Sequence, residues 1–182
     1  DGPRGALYGP FVPLLRSPEV MNRARAMGDY LRYKSTLPPK LSEFVIIITA
    51  REWTQNYEWE AHARLALDAG VKPETVNAIA AGRRPDAMTE DEALLYDFTT
   101  ELHHHKSVTD ETYARAVKRF GEQGVIDAVG ITGLVTTSLL RSGLPLDNPL
   151  VSRGLAFLVQ SQQPSGGIHA AGHRIAALPR HD

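Results

Sequence analysis

The stretch LSEFVIIITAREW, residues 41–53, decides the fold. Phe44 to Ile48 is an unbroken run of β-branched and aromatic residues, which favours a buried strand. A strand needs a partner to satisfy its backbone N–H and C=O groups. No other segment of the chain reads as one. The stretch is therefore read as a helix buried on nearly all sides, and the fold as all-α.

Working outward, residues 55–69 form a clearer helix closed by Gly70, and 73–81 a short one with Pro73 at its start and Gly82 as its cap. Thr89-Glu90-Asp91-Glu92 carries the reciprocal cap pattern for a helix reaching about His105. Thr109-Asp110-Glu111 opens another, ended at Gly121, and a last long helix covers roughly 122–142. In that last helix Gly130 and Gly133 are expected to allow close backbone approach. Toward the N-terminus, Ser17-Pro18-Glu19 is a helix start with a capping hydroxyl; the helix runs to about Tyr33 and breaks at "STLPPK". Residues 1–16 read as an extended arm with apolar contacts at Tyr8, Phe11 and Leu14. The expectation is a compact all-α bundle of about seven helices over residues 1–147. Residues 148–182 form a C-terminal extension, in which "PLVSRGLAFLVQSQ" fits a short amphipathic helix docking on a neighbouring subunit.

A chain of 182 residues, 42% apolar and 23% charged, with a net charge of −1, has the composition of one soluble globular domain. It has no basic excess to draw it onto nucleic acid. Its apolar stretches fall short of the ~20 residues that span a bilayer. The absence of cysteine from the sequence excludes disulfides, thiolate metal sites, iron–sulfur clusters and a thiol nucleophile. The numbering begins at Asp1, so a removed leader stays open beside the expected cytoplasmic location.

Just after the apolar run comes "NYEWEAH", residues 56–62. On a helix, Gln55, Glu58, Trp59 and His62 share one face, and Leu65 and Ala66 continue it. Polar groups thus occupy a stripe that should be core, where an unpaired charge costs several kcal/mol. Glu43, at the front of the apolar run, is expected to be drawn inward as well. A second carboxylate near Glu58 would raise the pKa of one of them, giving a proton donor with His62 as its partner. Taken alone, Glu58 and His62 also fit an i,i+4 surface pair worth a few tenths of a kcal/mol.

These residues resemble the alkylhydroperoxidase D and carboxymuconolactone decarboxylase superfamily. Its peroxidase branch carries Glu, eleven residues, Cys, any, Tyr, Cys, three residues, His. Glu43, Tyr57 and His62 fall in that register, with Gln55 and Glu58 at the two cysteine positions. The decarboxylase branch has Glu four residues before the same His, as Glu58 stands here, but a His where this chain has Tyr57. "AREW", "LALDAGV", "GRRP", "EALLYDF" and "RFGEQGVIDAVGITG" extend the likeness to a cysteine-free subgroup. The resemblance implies a homo-oligomer, commonly a trimer or hexamer, and a small carboxylate substrate. His62 would be the acid, Glu58 the proton shuttle, Glu43 a carboxylate tuning them and Tyr57 a hydroxyl for a substrate oxygen. Gln55, Trp59 and Arg83 would contact the substrate.

Two histidine patterns are read as structural. The run His103–His105 cannot converge on one ion, because neighbouring helical side chains are splayed about 100° apart. His169 and His173 lie in a Gly-rich stretch with no third ligand evident. No metal and no cofactor is expected. The functional expectation is a cofactor-independent lyase that decarboxylates a lactone or β-keto acid. The alternatives are a non-catalytic oligomeric scaffold or small-molecule binding protein and, third, a thiol-free peroxidase relative. Convergence of Glu43, Glu58 and His62 would favour the enzyme; their exposure to bulk solvent would favour the scaffold.

Overall fold

The computed structural model describes residues 14–139, which form six helices and no strand. These are α1 (Pro18–Tyr33), α2 (Pro39–Glu52), α3 (Asn56–Asp68), α4 (Pro73–Ala80), α5 (Glu90–His105) and α6 (Asp110–Leu139). The all-α expectation holds, and the span numbered α6 comprises the two expected helices, which break at Gly121 as the sequence indicated. Gly121 marks their junction with non-helical angles, φ 72° and ψ 168°, which suit glycine. The arm residues Tyr8 and Phe11, the boundary at 147/148, the C-terminal extension, and His169 and His173 lie outside the described residues.

The stretch LSEFVIIITAREW forms most of α2, the helix on which the others pack. Every residue from Leu41 to Ala50 is buried, and α1, α3, α4, α5 and α6 all pack on α2. Val45, Ile46, Ile47, Ile48 and Thr49 are poor helix formers, at about 0.5 kcal/mol each. Burying one such aliphatic side chain contributes about 1.5–3 kcal/mol, so packing overrides propensity. Pro38 and Pro39 start this helix without a side-chain cap.

The end of α2 sets the direction of α3. Thr54 has φ +52°, a left-handed conformation that is rare for a β-branched residue. There the chain reverses, the Gln55 N–H donates to Ala50 O at 2.8 Å, and α3 begins at once.

Other termini follow local chemistry. Thr89 and Glu92 form the full reciprocal cap of α5. The Glu92 carboxylate is itself buried, with Oε1 2.9 Å from Lys40 Nζ though not aligned as a hydrogen bond. Ser17 stands at the N-cap of α1, but its hydroxyl makes no cap bond, contrary to expectation. A Cβ on Gly130 would come within 3.2 Å of Leu31, so α1 and α6 do approach closely there; Gly133 has open space instead.

Candidate active site

Glu43, Glu58 and His62 converge where α2 packs on α3. Glu43 sits one turn into α2, whose residues Leu41 to Ala50 are all buried, and its side chain is largely removed from water. Glu58 lies in the first turn of α3, at the positive end of that helix's dipole, and His62 is one turn further on. His62 Nδ1 lies 2.6 Å from Glu43 Oε2, and Nε2 lies 3.3 Å from Glu58 Oε2. A carboxylate only accepts, so Nδ1 carries a proton. The side chains of Glu43, Glu58 and His62 are 8%, 11% and 12% exposed. That decides against a solvated surface pair.

Burial alone would push the His62 pKa down. The hydrogen bonds and charges of Glu43 and Glu58 more than offset it, and the pKa is raised above 6.5. The imidazole lies between the two carboxyl groups, which favour its protonated form. Such an array is a poor stabiliser, since desolvating each ion costs several kcal/mol. It is better suited to holding a proton and passing it on.

The remaining expected residues are placed differently. Gln55 is buried and caps α3, its Oε1 accepting from the Tyr57 N–H at 3.3 Å. Trp59 is partly buried and packs on the apolar core. Tyr57 is 42% exposed. Arg83 is exposed just beyond α4, its backbone N–H bonded to Ala78 O. Leu65, expected on the inner stripe, is also exposed.

Arg32 was not foreseen. It lies in the last turn of α1, and its Nε and Nη2 both stand 3.3 Å from Glu43 Oε1. Basic residues at a helix C-terminus already have a dipole rationale, so nothing local in the sequence ties Arg32 to Glu43.

The histidine run points three ways, as consecutive helical positions must. His103 is buried, with Nε2 3.2 Å from Thr49 Oγ1, and burial pushes its pKa down to about 4. His104 lies 3.2 Å from Glu52, and His105 is exposed. Among the described residues no group of three or more His, Asp or Glu is arranged to hold a metal ion. No helix among them is long and apolar enough to cross a membrane.

No curated protein matches the sequence. Among solved structures the chain is similar to a protein of unknown function from Agrobacterium tumefaciens, proposed to be the antioxidant defence protein AhpD. The identity is 14% and the TM-score 0.59, over 74% of this chain and 96% of that one. At that identity the likeness is one of fold. The family model of the carboxymuconolactone decarboxylase family matches residues 18–101, a span that includes Arg32, Glu43, Glu58 and His62. Over residues 18–101 the chain is similar to the carboxymuconolactone decarboxylase family, and its sequence contains no cysteine.

Proposed function

We propose that this protein is a cofactor-independent lyase that removes CO₂ from a small cyclic carboxylic acid, a lactone or β-keto acid. The observation that carries the reading is the His62 imidazole placed between the buried carboxyl groups of Glu43 and Glu58, which raise its pKa. It supports the enzyme reading over the scaffold reading, because a scaffold has no use for a desolvated proton donor.

In the proposed reaction the C–C bond to the carboxylate breaks and its electron pair stays on the ring carbon. CO₂ leaves, and the pair delocalises onto the adjacent carbonyl oxygen as an enolate. His62 supplies the proton that carbon requires, from Nε2 through or beside Glu58, and water later restores it. Glu43 holds Nδ1–H and so orients the ring, while low exposure strengthens each of these interactions. Tyr57, on the solvent side, is the proposed hydroxyl for a substrate oxygen. Gln55 fixes the start of α3, and Trp59 and Arg83 are the proposed outer contacts with the ligand. A subunit neighbour, in a trimer or hexamer, is proposed to complete the surroundings.

A thiol peroxidase reaction requires a thiolate, and the sequence contains no cysteine. The test is CO₂ release from a panel of carboxylated lactones and cyclic β-keto acids. Wild type is run beside Glu58→Gln and His62→Gln, each checked for native circular dichroism. Turnover abolished by either substitution supports the reading. Turnover that survives both refutes the assignment. No turnover by wild type anywhere on the panel refutes this substrate class.

A further inference from the structure

The charged array does not end at His62. Glu43 lies between two cations, with Oε2 2.6 Å from the imidazole and Oε1 facing Arg32. The Arg32 contacts are long and converge on one oxygen, unlike the parallel two-oxygen fork that arginine prefers. Its guanidinium also stacks 4.9 Å from the centre of the Tyr33 ring. At 30% exposure, the Arg32 side chain is the outermost of the four.

A carboxylate as buried as Glu43 needs a cationic partner throughout the reaction cycle. His62 supplies one only while protonated. In the reaction proposed above it gives up its proton in every turnover, and Glu43 then faces a neutral ring. The charge on Arg32 is permanent. We propose that Arg32 is a positioning residue: by holding Glu43 Oε1 it keeps Glu43 charged and in place while His62 is neutral, and so lets His62 release its proton. This rests on the acid–base reading of the site and extends it to α1.

The charged groups that face His62 among the described residues are Glu43 from α2 and Glu58 from α3 itself, with Arg32 reaching Glu43 from α1. Removing Arg32 leaves Glu43 dependent on the imidazolium alone, so the imidazole should hold its proton more tightly. A purely structural Arg32 would tether α1 to α2 and complement the α1 dipole. Its loss would lower stability and leave the His62 titration where it was.

The experiment is a nitrogen-15 NMR titration of the His62 ring in the full chain, for wild type, Arg32→Met, Arg32→Lys and Glu43→Gln. The expected result is an upward move of the His62 midpoint in Arg32→Met and a wild-type midpoint in Arg32→Lys, which keeps the charge. An unchanged or lower midpoint in Arg32→Met overturns the proposal, as does an equal shift in Arg32→Lys. Should Arg32→Met fail to fold, the wild-type Arg32 Nε–H resonance decides. It should move through the His62 midpoint, and a flat trace overturns the proposal. Glu43→Gln separates the two levels of the argument. A lowered His62 midpoint there with no response to Arg32→Met removes only the role of Arg32, whereas an unmoved midpoint removes the acid–base array itself.

Discussion

Acidifying the protein from pH 6.5 toward pH 4.5 should destabilise it chiefly through one side chain, His103. Its ring is buried against Thr49, with Trp53 edge-on at 6.1 Å and the Lys106 ammonium bonded to its backbone carbonyl. Desolvation lowers its pKa from 6.5 to about 4 in the folded chain. Between those values the unfolded chain binds a proton that the native chain refuses. The stability His103 contributes is therefore complete above pH 6.5 and is lost as pH falls toward 4. A difference of about 2.5 units corresponds to about 3 kcal/mol, or ~1.4 kcal/mol for each pH unit in that window. His62 opposes the effect near pH 6.5, where the unfolded chain is still taking up its proton, and adds nothing to the slope from about one unit lower, because its pKa is raised in the folded chain. Glu92 and Glu101, whose pKa values lie below 4.5 in the folded chain, lose their contributions only at more acid pH. Urea denaturation at pH 7.5, 6.5, 5.5 and 4.8 measures the slope. Wild type should lose about 0.5–1.4 M in urea midpoint per pH unit in that window, given a denaturant slope of about 1–3 kcal/mol/M. His103→Gln, which retains a hydrogen-bonding group for Thr49, should be nearly flat over the same range. Equal slopes in the two proteins would refute the reasoning.

Three shorter predictions concern the caps, the strained turn and the site. Thr54→Gly should raise stability by about 1 kcal/mol, because φ +52° suits glycine and strains a β-branched residue; thermal unfolding reads it, and a lower Tm contradicts it. Thr89→Ala should cost about 1 kcal/mol by removing the hydroxyl that caps α5, whereas Ser17→Ala should cost much less, since that hydroxyl makes no cap bond. His62→Gln should cost more stability at pH 6 than at pH 9. The raised His62 pKa places its ion-pair contribution below 6.5 and removes it as pH climbs through the folded value, so a cost larger at pH 9 contradicts the array.

Much of the bundle was legible because helix termini are written locally. The cap pattern at Thr89–Glu92 and the glycines at 70, 82 and 121, all at positive φ, are such local signals. The central helix was legible by elimination, for want of a second strand. Of the site, the face carrying Gln55, Glu58 and His62 follows from helical periodicity, and the inward turn of Glu43 from its apolar surroundings. Arg32 was not legible, because its meeting with Glu43 depends on how α1 crosses α2. The outward placement of Tyr57 was also hidden, since the family register fixes a position in the chain and not the face that the packing leaves exposed. Thr54 was missed for a different reason: glycine is the usual sign of a left-handed residue, and here a threonine takes that conformation.

The central claim is that His62 carries its proton between two buried carboxylates, and the titration midpoint of its ring in the wild-type chain tests it most directly. The account predicts a midpoint above 6.5, the direction in which Glu43 and Glu58 move it against burial. A midpoint at or below 6.5 would mean that burial outweighs Glu43 and Glu58, and would contradict the proposed proton donor.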